Sequence, residues 1–123
     1  MKQVFLVFLG GGVGSALRFL MSRALNPFLK NFFLGTFLVN IIGCLLIGLV
    51  MGMFTKGKLL TENQMLLLVA GFCGGFTTFS AFAFEKHSLL KSGEIFHFSI
   101  YAILSIITGI LAVSLGIWLS KLF

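Results

Sequence analysis

Charge is scarce in this sequence, and negative charge most of all. Charged residues make up 10% of the 123 residues, whereas they are about a quarter of a typical soluble domain. Because 59% of the residues are apolar, too few polar side chains remain to cover a surface that faces water. These proportions nearly exclude a water-soluble fold and favour an integral membrane protein.

Acidic residues are limited to Glu62, Glu85 and Glu94. All three lie at or beyond the ends of apolar stretches, so we expect no buried carboxylate within the membrane. A proton-coupled antiporter or a cation exporter would be expected to carry such a group. The sequence also shows no pairing of a nucleophile with a base and no metal-binding cluster, so we do not expect an enzyme.

Cysteine and proline are also rare. Cys44 and Cys73 both lie inside apolar runs, and neither has a second sulfur or a histidine at ligand spacing. We therefore interpret them as small core residues and not as a disulfide or a metal site. The only proline, Pro27, marks a connection between apolar stretches, where its missing amide costs little.

Four apolar stretches are present, each close to or above the roughly 20 residues that a helix needs to cross a bilayer. They cover residues 3–22, interrupted only by Arg18, and residues 31–55, 63–84 and 95–120. The first lacks a small-residue cleavage site, so it is better interpreted as a helix than as a secretory signal. We expect one all-α domain over residues 1–123 with four transmembrane helices, multi-pass in the cell membrane.

The nine basic residues lie singly near the ends of these stretches, which favours contact with lipid headgroups over binding of nucleic acid. Four spans place both termini on one side. The basic residues of that side are Lys2, Lys56, Lys58 and Lys121; those of the other side are Arg23, Lys30, Lys86 and Lys91, with Arg18 deeper in its helix. This near tie arises by chance or from a chain that inserts in both orientations. The second alternative predicts an antiparallel dimer with its two-fold axis in the membrane plane.

Small residues recur four positions apart in every span, which favours close helix packing in lipid. These pairs are Gly10 with Gly14, Gly48 with Gly52, Gly71 with Gly75, and Ser105 with Gly109. In the third span, residues 71–80 combine three glycines with two threonines and a serine, a poor helix sequence. We predict a break there, whose freed carbonyls would suit a cation; the alternative is a continuous helix with a glycine packing face.

Few polar groups lie deep in the spans. Arg18 is either functional or extended toward the headgroups, and Asn40 either donates to an anion or forms a packing hydrogen bond. Phe79 and Phe82 are three residues apart and could present positive ring edges to an anion, although sixteen phenylalanines make this spacing common by chance. Hydroxyl groups in the spans add further hydrogen-bond donors for an anion: Thr36, Thr77, Thr78, Ser80, Ser105 and Thr108.

Three segments in order, residues 10–18 (GGGVGSALR), 35–43 (GTFLVNIIG) and 71–85 (GFCGGFTTFSAFAFE), closely resemble the signature segments of the Fluc/CrcB fluoride channels. The resemblance extends over essentially the whole chain. It implies passive fluoride export through two pores of an antiparallel homodimer in the lipid bilayer, with a structural Na⁺ at the dimer centre.

By position, the resemblance implies a pore-facing Asn40, pore-lining rings at Phe79 and Phe82, and Arg18 at a vestibule. It further implies backbone carbonyls of Gly74 and Thr77 as Na⁺ ligands, and a polar lining from Thr78, Ser80, Tyr101 and Ser105. Ala81 departs from the family, many of whose members have threonine there, so one hydroxyl of the usual lining is missing.

Two other functions remain as alternatives. A small dual-topology multidrug exporter would be expected to carry a glutamate in its first helix, and none is present. A membrane subunit without transport activity would leave the deep Asn40 and the unusual third span unexplained.

Overall fold

The apolar stretches fold as helices throughout the part of the chain that the computed structural model describes, residues 1–57 and 60–123. Four helical segments are long and apolar enough to span a membrane: Lys2–Phe28, Leu34–Thr55, Glu62–Lys91 and Ile95–Leu122. The chain is therefore an all-helical, multi-pass membrane protein. Lys58, which the charge count places on the side of the termini, lies outside the described residues.

The first, second and fourth spans are each built on one long helix. Helix α1 covers Lys2–Leu25 and continues as a 3₁₀ turn over Asn26–Phe28, where Pro27 occupies an early position that needs no amide donor. Helix α2 covers Leu34–Thr55, and the fourth span contains the helix Ile95–Leu119 followed by a 3₁₀ turn over Ser120–Leu122.

The third span contains several shorter elements. Helix α3 covers Glu62–Met65 and begins with a capping box between Thr61 and Gln64; a π-helical segment over Leu66–Cys73 and helix α4 over Gly74–Phe76 follow. Thr77 has an extended backbone, with φ −79° and ψ 159°. Helix α5 then covers Ser80–Lys91, and the fourth-span helix Ile95–Leu119 is α6.

Glycine determines how closely α1 approaches the third span. A Cβ atom on Gly14 would lie 2.8 Å from the amide nitrogen of Phe76, and one on Gly75 would lie 2.9 Å from the Cα atom of Gly11. Backbone atoms cannot move aside, so only glycine fits at these contacts. The packing role predicted for the glycine pairs is confirmed at this crossing.

A similar contact joins α2 to α6, where a Cβ on Gly48 would meet the backbone of Val113. Gly109 is different, because a Cβ there would only touch the sulfur of Cys44 at 3.6 Å, an ordinary van der Waals distance. The predicted packing role of the pair formed by Ser105 and Gly109 is therefore not seen within this chain.

The structure corrects two expectations about the end of the third span. Glu85 was expected in a connection but lies in α5, and its side chain is 7% exposed; the expectation that no carboxylate is buried was wrong. Lys86, expected at a headgroup, is 6% exposed. The helix extends to Lys91, and these two residues face inward toward α2 and α6, so their position near the end of an apolar run did not determine their exposure.

Candidate functional site

Asn40 holds the non-helical segment between α4 and α5. Its Oδ1 accepts a hydrogen bond from the amide of Thr78 at 2.8 Å, and its Nδ2 donates to the carbonyl of the same residue at 3.1 Å. One side-chain amide thus satisfies both backbone groups of a residue that has left the helical pattern. An amide NH₂ carries two hydrogens, and this contact uses one of them. The second hydrogen is left to meet another acceptor.

The same segment frees two backbone carbonyls. In an α-helix the carbonyl of Gly74 would accept from the amide of Thr78, and that of Thr77 from the amide of Ala81. Instead, the Thr78 amide donates to Asn40, and the Ala81 amide donates to Thr78 Oγ1 at 3.2 Å. Among residues 1–57 and 60–123, neither amide donates to a backbone carbonyl. The carbonyls of Gly74 and Thr77 thus lack their regular helical partners.

Asn40 and this segment line a cavity of about 450 Å³. Its walls come from α2, the π-helical segment, α4, α5 and α6, and they are largely apolar. The lining residues are Asn40, Gly43, Cys44, Ile47, Val69, Cys73, Gly74, Thr77, Thr78, Phe79, Phe82, Ser105 and Ile106. We call this space the Asn40 cavity.

The polar side chains of the Asn40 cavity carry amide and hydroxyl groups. Ser105 Oγ is buried and has no hydrogen-bond partner among the described residues. Thr78 Oγ1 lies 3.3 Å from Ser80 Oγ, which places a second hydroxyl beside the segment. None of the described residues that line this cavity carries a carboxylate. A largely apolar cavity with a few hydrogen-bond donors is suited to bind a small anion, because the donors replace part of the anion's hydration shell.

Aromatic rings form one wall. The centroids of Phe79 and Phe82 are 6.1 Å apart with a tilt of 39°, and Phe82 meets Tyr101 in a T-shaped contact at 5.5 Å. The Phe79 side chain is 79% exposed in this single chain. Tilted rings present some of their positive edges to the space beside them, which favours an anion over a cation.

Arg18 belongs to a second, smaller cavity of about 280 Å³. Its Nε is buried without a hydrogen-bond partner within the described residues. The lining residues are Ser15, Arg18, Phe19, Ser22, Asn26, Thr36, Ala81 and Glu85. This cavity, the Arg18 cavity, places a cation and a carboxylate around one space.

Glu85 is held by two hydroxyl groups. Thr36 Oγ1 donates to Oε1, and Tyr101 Oη donates to Oε2 at 2.9 Å. Thr36 is itself fixed by Asn26, whose Oδ1 accepts from the Thr36 amide at 3.1 Å. Both donors are almost fully buried, at 1% and 0% exposure. The carboxylate is thus stabilised by hydrogen bonds from α2 and α6.

Most of the residues predicted for the site meet in the Asn40 cavity: Asn40, Gly74, Thr77, Thr78, Phe79, Phe82 and Ser105. Arg18 lies in the other cavity, Ser80 is exposed beside Thr78, and Tyr101 is packed among rings with its hydroxyl on Glu85. Sequence reasoning missed Glu85 and Lys86 as buried groups. The signal was available, because residues 82, 85, 86 and 89 share one helical face.

Comparison with known proteins identifies the family of the chain. The family model described as "CrcB-like protein, Camphor Resistance (CrcB)" matches residues 5–117. The chain is 48% identical over 122 residues to the "Fluoride-specific ion channel FluC" of Phocaeicola vulgatus, covering 98% of this chain and 100% of the relative. It is 46% identical over 127 residues to the protein of the same name from Bacteroides fragilis, covering 100% and 99%. A third protein of that name, from Azobacteroides pseudotrichonymphae, is 41% identical over 124 residues, covering 100% and 99%. The chain therefore belongs to the CrcB-like family.

Proposed function

We propose that this protein is a fluoride-selective channel that lets fluoride leave the cytoplasm passively and so protects the cell from fluoride toxicity. The observation that carries the proposal is the Asn40 cavity, where an amide donor, hydroxyl groups and two phenyl rings surround a space, and none of the described lining residues is acidic. The names of relatives that are 41–48% identical along the whole chain support it.

The driving force for export needs no energy source in the protein. Hydrogen fluoride is a neutral weak acid that crosses bilayers and ionises in a less acidic cytoplasm, where fluoride accumulates. An inside-negative potential then drives the anion outward by about 2.3 kcal/mol per charge per 100 mV. A channel is sufficient for this task, and neither an enzyme activity nor a coupled ion is required.

The working unit that we propose is an antiparallel homodimer with two pores. The near-even distribution of basic residues supports insertion in both orientations. The exposure of Gly74 and of the Phe79 ring on the open side of the Asn40 cavity supports a second subunit there, since both would otherwise face lipid. A partner chain at this surface would complete the wall of each pore.

Orientation can be measured by cysteine labelling. Cys44 and Cys73 are the only cysteines, so a variant without them can carry one new cysteine at Gly57, in the connection between α2 and α3. Dual insertion predicts that an impermeant maleimide labels about half of the molecules from each side of sealed vesicles. Labelling from one side only would contradict the antiparallel arrangement.

We further propose that the helix of the third span is broken at Thr77 and that the break creates the binding site of a structural Na⁺. The residues fit such an ion: the carbonyls of Gly74 and Thr77 lack their regular helical partners, and carbonyl oxygen is a ligand that hard cations prefer. Bound Na⁺ would supply positive charge that joins the two subunits. We expect Na⁺, and not K⁺ at the same concentration, to raise the melting temperature of the purified protein.

Fluoride efflux from liposomes, read with a fluoride electrode, tests the main proposal. We expect rapid fluoride release, no comparable chloride release, and no dependence on an imposed proton gradient. Asn40→Asp should abolish release, because the aspartate loses the donor and brings negative charge to the anion path. Thr55→Val provides a matched control, since Thr55 is exposed and its hydroxyl bonds only the Gly52 carbonyl of its own helix among the described residues.

The multidrug exporter remains the competing function for one reason. Exporters of that kind use a membrane carboxylate, and Glu85 is buried. The two hydroxyl donors on its oxygens instead indicate a structural role for Glu85. Wild-type liposomes that retain fluoride but take up a cationic dye against a proton gradient would replace the channel by the exporter.

A further inference from the structure

Lys86 is a buried cation without a conventional partner. Its Nζ forms no hydrogen bond among the described residues, and no ion pair to it is present within residues 1–57 and 60–123. Instead the ammonium group lies 3.0 Å from the ring centroid of Tyr101 and 5.0 Å from that of Phe82. These two rings face the charge directly, and Glu85 attracts it without forming an ion pair.

This placement is unfavourable for a lysine whose only role is structural. A lysine near the end of a membrane span usually extends its flexible chain to the headgroups, where water and phosphate surround the charge. Burial without hydrogen bonds removes that hydration, and contact with aromatic faces replaces only part of it. The cost of burying this charge suggests that the positive charge has a functional role.

The Asn40 cavity offers that function. Phe82 contacts the Lys86 ammonium group and also lines the cavity. A cation over the face of a ring draws π-electron density toward itself and so leaves the ring edge more positive. A unit charge in a low-dielectric surrounding also attracts an anion directly over several ångströms.

We propose that Lys86 is a positioning residue that strengthens fluoride binding in the Asn40 cavity by polarising the Phe82 ring. The inference rests on the proposed function, since it concerns the same cavity and the same anion. Glu85, the neighbouring acid, attracts the Lys86 charge but does not line the Asn40 cavity. Its oxygens are bonded to Thr36 and Tyr101, and it lines the Arg18 cavity instead.

The test measures the initial rate of fluoride efflux from liposomes over a series of internal fluoride concentrations. Lys86→Met keeps the length and apolar stem of the side chain but removes the charge. We expect about a tenfold rise in the half-saturating fluoride concentration, or an equal fall in rate at low fluoride, which corresponds to about 1.4 kcal/mol of binding free energy. Lys86→Arg keeps a cation over the rings and should remain within about twofold of wild type.

Two further variants separate an electrostatic effect from a general loss of structure. Lys91→Met removes an exposed lysine of the same helix and should match wild type. In a Phe82→Leu background, Lys86→Met should have much less effect, because the ring through which it acts is gone. Melting temperature and elution volume of each variant report folding. If Lys86→Met does not fold, Lys86→Gln is used in both backgrounds.

The outcomes are distinct. A concentration shift that arginine rescues and that depends on Phe82 supports the proposal. Equal concentration dependence of wild type and the neutral variants overturns it and leaves the channel function intact. An equal shift with and without Phe82, or a loss in Lys86→Arg, also overturns it. A wild-type protein that releases no fluoride overturns the proposed function and this inference together.

Discussion

The hydrogen bonds to Glu85 allow a quantitative test of the fold. Tyr101→Phe removes only the hydroxyl that donates to Oε2, and Thr36→Val removes the one that donates to Oε1 with little change of shape. Both replacements keep the apolar packing of the side chain. Any loss of stability therefore reports the hydrogen bond.

Two ranges of energy could apply to such a hydrogen bond, and burial decides between them. Interhelical hydrogen bonds in a membrane contribute about 0.6 kcal/mol on average, whereas bonds to a charged group contribute about 1.5–3 kcal/mol. Tyr101 is 0% exposed and Glu85 is 7% exposed, so no water can replace the lost donor. We therefore expect Tyr101→Phe to lower the free energy of unfolding by about 1.5–3 kcal/mol.

Thr36→Val should cost more than Tyr101→Phe. Besides donating to Glu85, Thr36 Oγ1 accepts a hydrogen bond from Asn26 Nδ2 at 3.4 Å. The valine therefore leaves a second polar group without its partner, which adds roughly 1 kcal/mol. Because both donors stabilise one carboxylate, the cost of the double variant should differ from the sum of the two single costs.

The measurement is a titration of micelle-solubilised protein with sodium dodecyl sulfate, followed by circular dichroism at fixed pH. Thr108→Val is the control, since its hydroxyl only bonds a carbonyl of its own helix; it should stay within about 0.5 kcal/mol of wild type. In a Glu85→Gln background, the cost of Tyr101→Phe should fall toward that of a neutral hydrogen bond. A Tyr101→Phe variant as stable as wild type would refute the reasoning.

Three other expectations follow from the contacts. Gly75→Ala places a Cβ against the α1 backbone and should destabilise by about 1–3 kcal/mol in thermal melts, whereas Gly12→Ala meets nothing within 4 Å and should be neutral. Ser105→Ala should reduce fluoride efflux without changing the melting temperature, since the hydroxyl has no partner among the described residues; a large melting shift would contradict this. Asn40→Ala leaves both backbone groups of Thr78 unpaired and should lower stability by about 1–3 kcal/mol in the same denaturant titration; unchanged stability would show that water replaces the amide.

The number and approximate bounds of the spans could be predicted from the sequence, because hydrophobic length is a direct requirement of the bilayer. Close packing through glycine faces was also predictable, since glycines spaced by four share one helix face, although the spacing does not identify the partner helix. Gly109 shows the limit of that rule. Spacing identifies a small face, but only the fold determines whether a neighbouring backbone contacts it.

The burial of Glu85 and Lys86 was predicted wrongly because both residues follow directly after the third apolar stretch and were therefore taken as the end of a span. A helix that continues to Lys91 turns the face containing residues 82, 85, 86 and 89 toward the protein interior, and burial follows that face. The dual contact of Asn40 with Thr78 could not be predicted either. The contact depends on the extended backbone of Thr77, which brings both the amide and the carbonyl of Thr78 within reach of the Asn40 side chain.

The order of the two charges on α5 reconciles a buried carboxylate with an anion path. Consecutive residues of a helix point about 100° apart, so Glu85 and Lys86 meet different groups even where they share a neighbour: Glu85 accepts from the Tyr101 hydroxyl, and Lys86 lies over the Tyr101 ring. Glu85 faces the hydroxyl donors and the Arg18 cavity, while Lys86 faces the rings beside the Asn40 cavity. The Glu85 oxygens are thus bonded to hydroxyl groups that do not line the Asn40 cavity, and the Lys86 ammonium group adjoins Phe82, which does line it. With the order reversed, a carboxylate would lie over the face of Phe82, repel its π-electrons and make its edge less attractive to fluoride.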